Sequence, residues 1–113
     1  MDQVSIVIPR PSVKEDSAFA ATVYFRDRAT QAASVPTNIK YRLDCLTTDT
    51  VILDWTTVSA AASVTISVTA AQNAIQNECN VYETKRLTIA GDYGLDTQVL
   101  ETATWNVTNL SNV

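Results

Sequence analysis

The side chains that could do chemistry here are mainly carboxylates and aromatic rings, because the 113-residue chain contains no histidine. Without an imidazole, the usual general base, the Ser-His-Asp triad and most metal sites are missing. Asp44, Asp49 and Asp54 are near one another in sequence, as a catalytic carboxylate pair could be. Asp44 and Asp54, however, fall on the polar face of two predicted strands, and Asp49 falls in the turn between them. We therefore interpret all three as solvated residues and predict no catalytic residues and no enzyme activity.

Metal and cofactor sites have equally little support in the sequence. Asp92 and Asp96 bracket a segment that contains glycine, but calcium needs six or more oxygen ligands, and turn chemistry explains two carboxylates better. Gly91 and Gly94 have neither the spacing nor the lysine of a phosphate-binding loop. We predict no metal site and no cofactor.

Aromatic side chains are the remaining candidates for recognition. The alternation of the predicted strands places Tyr41 and Trp105 in the core and directs Tyr24 outward. We select Tyr24, Trp55 and Tyr93 as possible surface recognition residues, because exposed aromatic rings could line a platform for a sugar. Scattered surface aromatics are also ordinary in soluble proteins, and the sequence leaves both interpretations open.

Composition and charge exclude several classes of partner. Acidic residues outnumber basic ones by 12 to 8, and an acidic domain does not attract phosphate backbones, so we predict no nucleic acid partner. No basic cluster suits a lipid surface, and no apolar run approaches the ~18 residues of a membrane helix. We predict no membrane insertion.

The cellular compartment is inferred from the amino terminus and the cysteines. The first residues lack the basic and apolar regions of a secretory signal, so we expect an intact product of the cytoplasm. Cys45 shares the parity of core residues, whereas Cys79 lies in a polar stretch. Nothing in the sequence signals an oxidising compartment, so we expect both thiols to be free.

The chain suits a single domain over residues 1–113, and its apolar residues recur with the period of β-strands. Seven strands are predicted, at residues 4–8, 19–25, 39–46, 50–55, 63–69, 85–93 and 98–109. Residues 70–76 are rich in alanine and glutamine and predict one or two helical turns that cross between sheets. This pattern favours an all-β fold, a seven-stranded antiparallel immunoglobulin-like (fibronectin III-like) sandwich with one short helical crossover.

Six segments, in order along the chain, carry a resemblance to a known family: YRLD (41–44), LDWTTV (53–58), SVTI (63–66), QNAI (72–75), ETKRLTI (83–89) and DYG (92–94). With them the chain resembles the small single-domain immunoglobulin-like proteins encoded beside the virion structural genes of tailed bacteriophages. The resemblance extends over about residues 4–110.

The resemblance implies a non-enzymatic structural component of a bacteriophage virion, a head-decoration or tail-associated accessory protein that is assembled in the host cytoplasm. Its implied partners are capsid or tail subunits, with the proline-ended first strand and the 29–37 loop as candidate contacts. Exposed strand edges could also pair between copies in a homo-oligomer. The alternative is an adhesion module that binds carbohydrate on the host surface.

Overall fold

The computed structural model describes residues 2–27, 29–94 and 97–110. These residues form eight strands and one short 3-10 helix: β1 (Asp2–Val7), β2 (Ser12–Lys14), β3 (Phe19–Asp27), β4 (Asn38–Cys45), β5 (Thr50–Val58), β6 (Ser63–Val68), the 3-10 helix (Ala71–Asn73), β7 (Tyr82–Gly94) and β8 (Thr97–Thr108). The strands form two sheets, ordered β1-β3-β6 and β2-β8-β7-β4-β5. The chain is therefore an all-β sandwich.

The short strand β2 was missed by the prediction of seven antiparallel strands. Pro9 and Pro11 were interpreted as the end of the first strand, since proline cannot donate to a ladder. Proline still accepts a hydrogen bond, and the carbonyl of Pro11 receives one from the N–H of Asn106 at 2.9 Å. The next residues continue this contact, with Val13 opposite Val107, so β2 pairs with β8 in parallel. Every other strand pair is antiparallel.

The core lies between the sheets and is built by alternation along the strands, as predicted. On β3, for example, Ala21, Val23 and Phe25 are fully buried, whereas Ala20 and Arg26 are exposed. The same alternation supplies other buried apolar residues of the cluster, Val4, Ile39, Leu43, Ile66, Val68, Leu87, Ile89, Trp105 and Val107, and Ile75 joins them from the connection between β6 and β7. Each buried Val, Leu or Ile contributes about 1.5–3 kcal/mol, so this set provides the main stabilisation of the fold.

The connection between β6 and β7 runs from the three-stranded to the five-stranded sheet. Its helical content is one 3-10 helix of three residues, a shorter element than the predicted turns. Thr69 and Gln72 fix its start reciprocally, because Gln72 N–H donates to Thr69 Oγ1 at 3.2 Å and Thr69 N–H donates to Gln72 Oε1 at 2.9 Å. Ile75 follows and is buried in the core, as predicted.

Asn73 joins this connection to the rest of the molecule. Its buried side chain donates from Nδ2 to the carbonyl of Ser17 at 2.6 Å and accepts at Oδ1 from Trp105 Nε1 at 2.8 Å. The ring of Trp105 in turn meets the edge of Phe19, with centroids 5.0 Å apart and planes at 88°. One buried amide therefore ties the connection to β8 and to the start of β3.

The beginning of β7 differs from the prediction, which started this strand at residue 85. The strand begins at Tyr82, and both Glu83 and Lys85 point inward with no exposed surface. Lys85 Nζ donates to Glu83 Oε1 at 3.0 Å and to the carbonyl of Ala74 at 2.9 Å. The mutual pairing of two opposite charges allows both to occupy core positions.

The carboxylate of Glu83 also organises the polar end of the connection. Its oxygens accept from the N–H of Gln76 at 2.7 Å and of Asn77 at 2.9 Å, and from Asn80 Nδ2 at 3.0 Å. Burial by itself would raise the pKa of Glu83, but these hydrogen bonds and Lys85 outweigh it and lower the pKa to about 2.

We expect this carboxylate to give the protein an acid-dependent stability. The pKa of Glu83 is lowered from 4.5 to about 2, so its contribution is complete above pH 4.5 and is lost as the pH falls toward 2. The size of that contribution is about 3 kcal/mol. Urea denaturation between pH 5 and pH 2 measures it, with Glu83→Gln as the comparison because a glutamine cannot ionise. If both proteins lost stability equally over this range, Glu83 would not be the source.

The segment 91–96 was predicted to be a turn, but β7 continues through it as far as Gly94. Leu95 and Asp96, the second of the two carboxylates considered around this segment, lie outside the described residues. Gly91 is needed for packing, because a Cβ atom there would lie 2.6 Å from Cε1 of the buried Phe25. This close approach brings the two sheets together at one end of the sandwich.

Candidate functional site

The three aromatic residues predicted to act in recognition lie on separate surfaces. Tyr24 is on the outer face of the three-stranded sheet, where the guanidinium of Arg26 lies 5.2 Å from the ring centroid. Tyr93 lies near the end of β7, on the inward parity of that strand, and its hydroxyl donates to the carbonyl of Ser34 at 3.2 Å. Trp55 is on β5, at the edge of the five-stranded sheet, and 43% of its surface is exposed. The structure does not combine these residues into one site.

Trp55 lies instead within a charged surface on the outer face of the five-stranded sheet. Tyr41 on β4 is opposite Thr56 on β5 and packs toward the core, so the neighbouring residues Lys40 and Trp55 face outward. The ammonium of Lys40 lies 5.0 Å from the centroid of the Trp55 ring, within the range of a cation–π contact. We define the Trp55 face by Lys40, Arg42, Asp44, Asp54, Trp55 and Arg86.

The inner part of the Trp55 face is a fixed ion pair between Asp44 and Arg86. The guanidinium donates from Nη2 to Oδ2 at 2.7 Å and from Nε to Oδ1 at 3.1 Å, a bidentate geometry with strong directional preference. The hydrogen bonds that Arg86 donates to the Asp44 carboxylate raise the pKa of Arg86 above its ordinary value, so the cation is permanent. The predicted solvated character of Asp44 is wrong: only 8% of the residue is exposed, because Arg86 covers it.

The outer part of the Trp55 face is a looser pair between Arg42 and Asp54. Arg42 Nε is 3.8 Å from Asp54 Oδ1, which is too long for a hydrogen bond. This nitrogen is buried and lacks a hydrogen-bond partner. Asp54 remains solvated as predicted, with 82% of its side chain exposed, and its Oδ1 accepts from the N–H of Trp55 at 2.8 Å. A ligand beside Trp55 would therefore meet an accessible carboxylate and the guanidinium-bearing side chain of Arg42, which is 33% exposed.

Hydroxyl groups continue the same surface toward β8. Thr88 on β7 is opposite Thr102, and Arg86 is opposite Thr104, so these threonines share the outward side with Arg86. Thr102 and Thr104 are exposed. The Trp55 face thus combines one accessible aromatic ring with charged and hydroxyl groups on rigid strands, a set that can stack and form hydrogen bonds but contains no activated nucleophile.

Apart from the open Trp55 face, the described residues form a groove of 870 Å³ beside β2. Among the described residues that line it, the charged ones are Arg10 and Lys14. Phe19 and Leu110 supply apolar surface. The groove therefore has a positive lining on a chain whose net charge is −4.

Besides Asp44, four buried polar residues in the described part of the chain were not recognised from the sequence pattern: Asn73, Glu83, Lys85 and Asn109. Two of them could have been found from the alternation, because Glu83 and Lys85 occupy every second position in step with Leu87 and Ile89.

Cys45 is buried, as predicted, and Cys79 is exposed, and both are free thiols. Within the described residues, no three His, Cys, Asp or Glu side chains cluster as metal ligands, and no helix has the length and apolarity of a membrane span.

Comparisons with known proteins support the fold and leave the family open. No family model and no curated protein matches the chain. Among solved structures, the Yersinia pseudotuberculosis adhesin InvE is similar with a TM-score of 0.58 and 13% identity over 94% of this chain and 32% of that one. A conjugative transposon lipoprotein from Bacteroides eggerthii gives a TM-score of 0.53 and 9% identity over 92% of this chain and 95% of that one. The chain thus spans about a third of the adhesin, and at such identities the likeness concerns the fold alone.

Proposed function

We propose that the sandwich belongs to the immunoglobulin-like, fibronectin III-like class predicted from the sequence. In immunoglobulin domains, strands A, B and E share one sheet and strands C, F and G share the other. The grouping of β1, β3 and β6 against β4, β7 and β8 matches this division. Two strands extend the five-stranded sheet beyond this common set: β2 lies beside β8, and β5 lies beside β4.

We further propose that the chain is a non-enzymatic binding module that contacts its partner through the Trp55 face. The single observation that carries this proposal is the half-exposed indole of Trp55, held on a strand beside Lys40, Asp54 and Arg42. Tryptophan and arginine are the residues that most often dominate binding energy at interfaces. Their combination on an open sheet face suits contact with an extended surface.

The proposed setting is a bacteriophage particle, and its support is the resemblance of the six sequence segments to virion-associated immunoglobulin-like proteins. In that setting the chain is a head-decoration or tail-associated accessory protein, and the Trp55 face covers a capsid or tail subunit. Mass spectrometry of purified particles tests the setting directly. Particles that lack the chain would contradict it, whereas a fixed copy number per particle would support it.

Carbohydrate on a host surface is the second candidate partner of the Trp55 face. The favouring observation is chemical: an exposed ring adjoins hydroxyl, carboxylate and guanidinium groups, which together can stack on and hydrogen-bond to a sugar. One structure that resembles the chain is described as an adhesin, although at 13% identity this describes that protein alone.

We expect Trp55→Ala to weaken binding to the partner, subunit or glycan, by at least about tenfold, because it removes the only large ring of the face. Binding to isolated particle subunits and to a glycan array measures the loss. Ser5→Ala, an exposed change on β1 of the other sheet, is the control. Tyr24→Ala, on the other sheet, should also leave binding intact. Equal binding by Trp55→Ala and the wild type would contradict the assignment of this face.

A further inference from the structure

Among the described residues, no strand pairs with the outer side of β6, which is an edge of the three-stranded sheet. Phe25 N–H donates to Ala62 O at 2.8 Å, and this pair continues the register in which Val23 is opposite Val64. Hydrogen-bonded and non-bonded pairs alternate along an antiparallel ladder. Therefore the bonds to β3 come from Val64, Ile66 and Val68, and the residues that direct N–H and C=O away from β3 are Ser63, Thr65 and Ser67.

Compared with the other edges, β6 has little protection against pairing. Natural sheets protect their edges with charges, prolines or bulges. The edge strand β5 carries Asp54, and its pairing with β4 shifts register twice. The edge strand β2 has only three residues and follows Pro11, and the edge strand β1 contains Asp2 and is followed closely by Pro9. In contrast, β6 contains no charge and no proline, its pairing with β3 has no register shift, and Ser63, Thr65 and Ser67 have exposed side chains.

We propose that β6 pairs with β6 of a second copy of this chain, antiparallel and about a two-fold axis at Thr65. This register places Thr65 opposite Thr65 of the second copy and Ser63 opposite its Ser67, so the backbone groups directed away from β3 meet one another. The two three-stranded sheets then form one six-stranded sheet, in an isologous contact.

The second copy is the favoured occupant because this edge is complementary to itself. Hydroxyl side chains meet hydroxyl side chains in the proposed register, an arrangement that stabilises cross-strand pairs. The contact also contains no charge, although each copy carries a net charge of −4. The inference does not depend on the proposed function, because β6 and the Trp55 face belong to different sheets.

Sedimentation equilibrium up to millimolar concentration tests the pairing. We expect wild-type protein to form a reversible dimer, and Thr65→Lys to weaken it by at least about tenfold, because two lysines would face each other across the axis. Thr57→Lys, an exposed change on the other long edge of the sandwich, is the matched control and should leave dimerisation unchanged. A monomer at every concentration, or a dimer that tolerates Thr65→Lys, would overturn the proposal.

Disulfide trapping gives an independent readout that does not require a stable dimer. A hydrogen-bonded antiparallel pair has Cα atoms about 5.5 Å apart, which suits a disulfide bond. In a Cys79→Ser background, which removes the exposed native thiol, Thr65→Cys should oxidise to a covalent dimer much faster than Thr57→Cys. Equal rates for the two variants would show random collision and would count against pairing through β6.

Discussion

Replacing Glu83 with alanine is expected to lower the free energy of unfolding by about 3–5 kcal/mol. The change leaves the ammonium of Lys85 in the core without its counter-charge, and neither residue has exposed surface. It also removes the acceptor for the N–H groups of Gln76 and Asn77. Both losses act on the connection between the sheets, so we expect residues 74–80 to lose hydrogen-exchange protection as well.

The measurement is urea denaturation at neutral pH, with Glu101→Ala as the matched control. Glu101 is also a strand glutamate but is exposed, so its replacement should change the free energy of unfolding by no more than about 0.5 kcal/mol. A loss of less than about 1 kcal/mol for Glu83→Ala would contradict the buried ion pair.

Replacing Trp105 with alanine is expected to cost a similar amount, about 3–5 kcal/mol. The indole is 2% exposed, and its removal leaves a large cavity beside Phe19. The change also leaves the buried Oδ1 of Asn73 without its donor. We therefore expect damage to packing and to the hydrogen bond that fixes the connection.

The chain contains one other tryptophan, which makes Trp55→Ala the matched control for stability. Because Trp55 is half exposed, this change should alter the free energy of unfolding by no more than about 1 kcal/mol. Thermal denaturation of the two variants compares them directly. Similar melting temperatures for Trp55→Ala and Trp105→Ala would show that the assignment of buried and exposed rings is wrong.

The strands could be predicted from the sequence because one face of a strand is buried and the other is more exposed. Apolar and polar residues therefore alternate along it. The pattern found β3, where Ala21, Val23 and Phe25 are buried, and it placed Ile66, Val68 and Trp105 in the core. Pairing of β4 with β5 as a hairpin followed from the short polar turn between them and is confirmed.

The pattern failed where polar or charged groups are buried together with a hydrogen-bonding partner. Lys85 was interpreted as marking a strand end, because the pairing with Glu83 that allows its burial cannot be seen from hydropathy. Asp44 was predicted to be solvated, since nothing local reveals the bidentate contact with Arg86 across the strands. The parallel pairing of β2 with β8 was not predicted, because Pro11 was interpreted as ending a strand whereas its carbonyl accepts a hydrogen bond from β8.

The candidate site was predicted only in part. Trp55 was selected as a possible surface aromatic, but its neighbours Lys40 and Asp54 were interpreted as solvated charges with no common role. Their proximity depends on the register between β4 and β5, which includes two shifts that alternation does not encode. Tyr24 and Tyr93 were selected by type, and the structure places them on other surfaces.

The proposed role of the Trp55 face is tested most directly by oxidative footprinting of the chain, free and in its purified assembly or bound to its glycan. Mass spectrometry reads the two tryptophans separately, and Trp105 is a buried internal reference. We expect Trp55 to be oxidised readily in the free protein and to be protected in the bound state. Equal oxidation of Trp55 in both states, with protection at another surface, would contradict the assignment.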